Sequence, residues 1–351
     1  MNDSTDIEIP DDPWMSHAFI SKLMTQVSLP YRKPKTNEII RKNGTLEVKF
    51  TGGADCLPYG KYPRLFEMWA CTMIKTGDSC FNPVTNTLNL GTTFREFLRL
   101  INIEIGGRQL KTIKPQLERL FKCAYFISNN TDGRSNGVNF VVADQYQIDW
   151  LSKESQEHAL FENTVQLNQK YVDYLRDAPV PVDLSIIARL NSPMSLDVYW
   201  WLTRRYSYLR ERQSMTWTQL YDQFGSDASI RKFKENFKKA VSDVRVVYPQ
   251  ANITCGRQYV MIYPSDTSVA TTAQVREVES RSKQIRERAD RDAMLARQAG
   301  REVSEGTIGA VLERLDYGED YVPARRHVVH GLALGHTGDQ VVAAWERGER
   351  L

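Results

Sequence analysis

The sequence predicts a helix-rich α+β chain made of two tandem winged-helix (winged helix-turn-helix) domains and a charged, largely helical C-terminal extension. Three observations point there. Residues 58–143 and 192–263 repeat one order of elements: helix, short strand, helix, basic helix, β-hairpin. In both copies the third helix has an apolar stripe on one side and Lys and Arg on the other. Positive charge also gathers in these stretches. There are eleven Lys/Arg against six Asp/Glu over 192–263 and twelve against eight over 44–143, although the 351-residue chain is only +3. Clustered cations of this kind are the footprint of a surface that meets phosphates.

The second copy is the cleaner one. A leading helix over 196–209 holds Leu196, Tyr199, Trp200, Leu202, Thr203 and Tyr206 in a helical array. An extended piece at 215–217 and a short amphipathic helix at 219–224 follow. After Gly225, Ser226-Asp227-Ala228-Ser229 supply side-chain oxygens where a helix should begin, and these can accept from the free N–H groups of a first turn. Ile230, Phe233, Phe237, Ala240, Val241 and Val244 then recur at helical spacing. Between them lie Arg231, Lys232, Lys234, Lys238 and Lys239, opposed only by Glu235. Residues 252–255 and 258–263, turning about Gly256-Arg257, read as a hairpin wing with Arg257 at its tip.

The first copy follows suit. Residues 62–74 carry Leu65, Phe66, Trp69 and Met73, with a strand at 87–90 and a helix at 94–101 behind them. Gly106-Gly107 makes a sharp turn. Thr112-Ile113-Lys114-Pro115 opens the third helix, where a first-turn proline forfeits no intrahelical bond. Ile113, Leu117, Leu120, Phe121 and Ala124 form its stripe; Arg108, Lys111, Lys114, Arg119 and Lys122 form its positive side, with Glu118 among them. Strands at 125–127 and 138–142 flank a polar loop, 129–137, that carries Arg134 near its tip.

The chain is therefore divided into a polar arm (1–43), a first module (44–143, with 45–50 as an added strand), a connecting segment (144–190, with a helix over 167–175), a second module (191–264) and the extension (265–351). The basic piece Tyr31-Arg32-Lys33-Pro34-Lys35 is read as a solvated linker, with contact to DNA backbone as the alternative. Residues 274–305 are polar and charged, too poor in apolar residues for a heptad seam, and read as a solvated helix or disordered extension. The apolar set from Ile308 to Trp345 folds on the body, docks a partner or stays loose; the residues do not decide.

Nothing approaches 18 consecutive apolar residues, so no membrane span is expected. The acidic, polar start is not expected to be a signal peptide. Five scattered cysteines without a CxxC pair are expected as free thiols in a reducing cytoplasm.

Short motifs carry a family resemblance. Leu57-Pro58-Tyr59-Gly60-Lys61-Tyr62-Pro63-Arg64-Leu65 resembles the opening of the plasmid-encoded RepA replication initiators. So do Phe97-Leu98-Arg99-Leu100, Gly106-Gly107-Arg108 and Gln116-Leu117-Glu118-Arg119-Leu120-Phe121. Ser195-Leu196-Asp197-Val198-Tyr199-Trp200-Trp201-Leu202 is similar to a second block of that family, and the resemblance covers about residues 30–265. It implies binding to double-stranded repeats in a plasmid origin, initiation with host replication proteins such as the helicase-loading machinery, and repression of the protein's own gene. It also implies a first module that exchanges between homodimer contacts and DNA contacts.

Enzyme chemistry is not expected, nor is a cofactor. A nicking initiator needs two His around one apolar residue beside a Tyr; His327-Val328-Val329-His330 has two residues between. With His336 there are three imidazoles within ten residues, but no Cys joins them, and Gly331 and Gly335 suggest a loose segment. Gly53 to Gly60 does not have Walker A spacing, and Tyr62 follows Lys61 where Ser or Thr is required. A winged-helix transcriptional regulator and a DNA-binding partitioning adaptor remain as alternatives that use the same residues. Arg231 and Lys234 are expected to meet bases and Lys238 and Lys239 phosphates, with the first module adding a weaker, phosphate-dominated share.

Overall fold

The computed structural model describes residues 17–54, 56–103, 107–131, 134–148, 163–225, 228–269, 305–317 and 321–349. Its contacts divide the chain into two units, 1–269 and 270–351.

The first unit opens with β1 (His17–Ile20), then a hairpin of β2 (Glu38–Asn43) and β3 (Leu46–Thr51) turning at Gly44, whose φ of 62° suits glycine. Next come α1 (Lys61–Thr76), β4 (Phe81–Asn82), β5 (Thr87–Asn89), α2 (Gly91–Leu100) and α3 (Gly107–Phe121). They are followed by β6 (Ala124–Thr131), β7 (Arg134–Val141), β8 (Ala143–Gln147), β9 (Thr164–Leu167), α4 (Gln169–Arg176), β10 (Val180–Asp183) and α5 (Leu184–Arg189). The unit ends with α6 (Pro193–Tyr208), β11 (Gln213–Thr216), α7 (Trp217–Phe224), α8 (Ile230–Val247), β12 (Ile253–Cys255) and β13 (Tyr259–Ile262). The mixed helix and sheet agrees with the α+β expectation.

The two copies share an order of elements but not a strand pairing. In the second, β11 pairs with β13 and β13 with β12, so the strand before α7 belongs to the same sheet as the hairpin. In the first, β5 pairs with β4 and β9, whereas the hairpin β6–β7 joins β3 in the sheet β2-β3-β6-β7. Chain β9, expected within a connector, fills the place between β5 and β8.

The connector and the arm are therefore parts of the core. From the connector, Val165, Leu167, Tyr171, Val172, Leu175, Val182 and Ile187 are buried. From the arm, so are Ala18, Ile20, Leu23, Met24, Val27 and Leu29, and β1 pairs antiparallel with β10. In the arm and in β9 the apolar positions come in runs too short to establish a period of 2 or 3.6, so they announce no element; the helix expected over 167–175 is α4, which buries Tyr171, Val172 and Leu175.

Helix α3 begins at Gly107, upstream of the expected start, and Pro115 lies inside it. Leu110 extends the apolar stripe one turn back. The carbonyl that Pro115 leaves unbonded is that of Lys111, on the exposed side of the helix, where water can serve it. The polar loop expected over 129–137 is instead mostly ladder: β6 and β7 pair out to Thr131 and Arg134.

The leading helices α1 and α6 are joined by a buried ion pair. Arg64 Nε and Nη2 each donate to Asp197 at 2.8 Å, and both side chains are essentially unexposed. Arg64 also donates to the carbonyls of Gly60 (2.7 Å), Pro30 (3.2 Å) and Leu29 (2.6 Å), while Tyr31 covers its face at 5.0 Å. All five guanidinium N–H groups are thus used. Burial works to lower the Arg64 pKa, but the charge and hydrogen bonds of Asp197 outweigh it and raise it. One side chain therefore binds the two motif blocks and the arm together.

Residues 265–269, expected to start a linker, still pack on this unit. Ser268 Oγ lies 2.7 Å from Tyr199 Oη, Tyr248 donates to the Asp266 carbonyl, and Val269 is buried.

The second unit comprises α9 (Glu305–Leu312), α10 (Tyr321–Ala333) and α11 (Gly338–Glu346). Ile308, Val311, Leu312, Leu315, Ala324, Val328 and Val341 make a small core of their own, and Thr337 with Gln340 forms a capping box at α11. Gly331 is buried within α10, so this stretch is helical and not loose. Of the expected solvated stretch, 274–305, all but Glu305, the first residue of α9, lies outside the described residues. No helix among the described residues is long and apolar enough to cross a membrane.

Candidate nucleic-acid interface

Helix α8 is set by its own sequence. Ser229 Oγ accepts from Lys232 N at 3.4 Å and caps the first turn. Phe233, Phe237, Ala240, Val241 and Val244 are buried, and the Phe237 ring meets Trp201, Trp217 and Phe224 edge-on at 5.3–6.2 Å. The opposite face must then point outward.

That face is cationic, though less uniform than spacing suggests. The Arg231 side chain is 91% exposed. Glu235 sits between Arg231 (3.7 Å) and Lys232 (3.0 Å), and the hydrogen bond and charge of Lys232 hold its carboxyl below the usual range. Lys234 is half-buried. Its ammonium lies 5.5 Å from the centre of the Trp217 ring, and that of Lys238 lies 5.8 Å from it. Lys239 is exposed. Lys234, expected at bases, is thus spent partly on Trp217, and Arg231 is the freer group of the two.

The hairpin β12–β13 is tied to the same place. Trp217 Nε1 donates to the Gly256 carbonyl at 3.3 Å, which holds the turn carrying exposed Arg257 against the start of α7. Thr216 and Gln219 cap α7 reciprocally. At its far end Gly225 adopts φ +60°, and a Cβ there would stand 2.2 Å from the Arg41 guanidinium carbon, so only glycine fits. Sequence reasoning did not single out Trp217 as the support of this face, nor exposed Arg245 in its last turn.

On α3 the cations diverge. Arg108 stands in the first turn. Lys111 is exposed and Lys114 half-buried. Arg119 turns its guanidinium over the Tyr59 ring at 5.4 Å, and Gln116 Oε1 accepts from Tyr59 N at 3.1 Å. Lys122 lies 6.0 Å from the Tyr146 ring centre. Arg134 is exposed at the start of β7, paired in register with Thr131.

Deeper in the unit, Glu67 is buried and accepts from Tyr125 and Tyr171, each at 2.9 Å. Burial, only partly offset by these bonds and by Arg64, pushes its pKa up to about 7. All five cysteines are free. Among the described residues no group of His, Cys, Asp or Glu could hold a metal ion; His327 Nε2 lies 3.1 Å from the Val341 carbonyl, with its ring against Trp345.

A mixed α+β body with a basic helix beside a tethered hairpin is the class that fold and surface define. Residues 57–219 match the family of plasmid encoded RepA protein, so the resemblance drawn from the motifs holds over that segment. Arg64 and Asp197 fall inside the matched segment; α8 and its hairpin follow it. Two solved structures are similar in arrangement. The crystal structure of RctB domains 2–3 aligns at 9% identity and a TM-score of 0.43, covering 69% of this chain and 96% of that one. A selenomethionine form of domains 2 and 3 of RctB aligns at 8% identity and 0.46, covering 71% and 97%. No curated protein matches the chain.

Proposed function

We propose that this chain is a plasmid replication initiator that binds repeated double-stranded sites at an origin through two winged-helix modules, of which the second reads sequence. The observation that carries this is α8: an 18-residue helix with a buried apolar stripe, an exposed cationic face and a hairpin held beside it by Trp217. The order α6-β11-α7-α8-β12-β13, with β11 in the hairpin's sheet, supports the winged-helix reading of this module. The first module shares the order but not the pairing, so its reading rests on the order alone. The RepA match supports the initiator role.

In this reading α8 enters a major groove about 12 Å wide. Arg231, near the N-terminus, reaches base edges; Lys238, Lys239 and Arg257 meet phosphates on either side. The α3 cations add backbone contacts without reading bases. The protein acts by binding, in the bacterial cytoplasm and without cofactor or catalysis, and hands the origin to host replication proteins; a homodimer that represses its own gene uses the same surface. Footprinting the full chain on the origin of its own plasmid tests this. Protection of short direct repeats beside an AT-rich segment is expected. A single protected palindrome would favour a transcriptional regulator, and no protection would reject DNA recognition.

A further inference from the structure

Beside the proposed reading face lies a second basic feature, which shares Lys232 and Lys239 with that face and whose arm side the initiator reading does not use. A cleft of about 900 Å3 opens between the arm and the flank of α8. Arg32, Lys33 and Lys35 line one wall, Lys232 and Lys239 the other, with Arg189 of α5 at the edge. All six are exposed. The one acidic residue of the lining, Asp243, accepts from Ser195 Oγ at 3.0 Å. Among the described residues no ion pair engages Arg32, Lys33, Lys35 or Lys239. A surface that only needed solubility would intersperse the two signs.

The arm wall is held in place. Pro34 is buried. The Pro30 carbonyl accepts from Arg64 and from Gly60 N (3.0 Å), the Leu29 carbonyl accepts from Arg64, and the Ser28 carbonyl accepts from Arg41 at 3.1 Å. The three cations after it are therefore presented from an anchored backbone, and a ligand need not order that backbone on binding. Lys232 and Lys239 are seven residues apart on α8, roughly 10 Å along its axis. They belong both to this wall and to the outer face of the helix, so the cleft and that face are continuous.

We propose that this cleft is a phosphate track for DNA: the backbone flanking the groove that α8 enters runs along the arm, over Arg32, Lys33 and Lys35, with Arg189 and Lys239 opposite. This rests on the DNA-binding reading above. It adds a sequence-independent contact from a segment that otherwise looks like a linker. A long polyanion suits the arrangement better than a single small anion, because the cations line opposite walls and do not converge on one point.

The test compares the full chain with an R32Q/K33Q/K35Q variant, which keeps polar stems and removes three charges, and with K239Q on the other wall. Binding to site DNA and to random duplex is measured across salt concentrations. Each lost phosphate contact flattens the slope of log Kobs against log[salt] by about 0.9, so the triple variant should lose roughly 2–3 units and K239Q roughly 1. The losses should be equal on site and random DNA, and the hydroxyl-radical footprint should shorten on one flank only. Matching far-ultraviolet spectra and melting temperatures confirm that the variants fold. If the unaltered chain binds DNA but the triple variant keeps its slope and footprint, the track is overturned while the initiator reading stands. If the unaltered chain binds no DNA, both fall.

Discussion

Replacing Asp197 with Ala should destabilise the first unit severely, because of what it leaves behind. Arg64 is fully buried and its five donors are all engaged, two of them by Asp197. Without the carboxylate, a guanidinium charge and two N–H groups remain buried, facing the carbonyls of Leu29, Pro30 and Gly60 and the Tyr31 ring. Breaking a buried pair from one side costs about 3–5 kcal/mol. With a urea m-value of about 3 kcal/mol/M, the midpoint should fall by roughly 1–1.7 M. Arg64→Met alone should also cost several kcal/mol, since it strands the buried Asp197 carboxylate and takes a donor from three carbonyls. The pair together should cost clearly less than the sum of the two, because each single change strands a charge that the double change removes. Tryptophan fluorescence follows the transition, with Trp69, Trp200 and Trp201 buried in the unit. Additive losses, or an Asp197→Ala cost below 1 kcal/mol, would refute the claim that this pair fastens α1 to α6.

Three further outcomes follow from particular groups. Glu67 has its pKa raised to about 7 in the folded chain from 4.5, so its protonated form favours folding; the contribution is complete below about pH 4.5 and is lost as pH rises through 7, a swing of about 3 kcal/mol. Glu67→Gln should flatten that pH dependence in urea titrations between pH 5 and 8, and an unchanged slope would show that Glu67 is not its source. Ser229→Ala should cost about 1 kcal/mol by uncapping α8, and Ser229→Gly only a few tenths, as read by thermal melts. A chain ending at 269 should unfold cooperatively and keep DNA binding. One ending at 265 should melt lower, because Tyr248 loses its acceptor at Asp266 and Tyr199 loses Ser268. Equal melting temperatures would place the boundary where the sequence suggested.

The elements with strong period and end signals were legible beforehand. Helix α8 starts at its Ser229 cap and buries the expected stripe from Phe233 to Val244 but leaves Ile230 exposed, and β12–β13 turns at Gly256-Arg257. What escaped lies in pairings over long separations. Arg64 reads as one polar residue in an apolar helix, and only its bond to Asp197, 133 residues away, explains it. The placement of β9 between β5 and β8 leaves no local mark either. Among the site residues, spacing assigns a face but not a rotamer. Lys234 and Lys238 share the cationic side of α8, yet both lean on Trp217, whose indole stands 17 residues before Lys234. The prolines of the arm read as a polar extended segment, and its buried Leu23, Met24, Val27 and Leu29 span too few residues to set a period that would say otherwise.

The central claim is that α8 reads bases in the major groove, and Arg231→Ala probes it most directly. Affinities of the full chain and the variant are measured at one salt concentration on the protected repeat and on random duplex. The account predicts a loss of roughly 1–3 kcal/mol on the repeat, a much smaller loss on random DNA, and relaxed preference at one base position. Equal losses on both DNAs would contradict it and reduce Arg231 to one more phosphate contact.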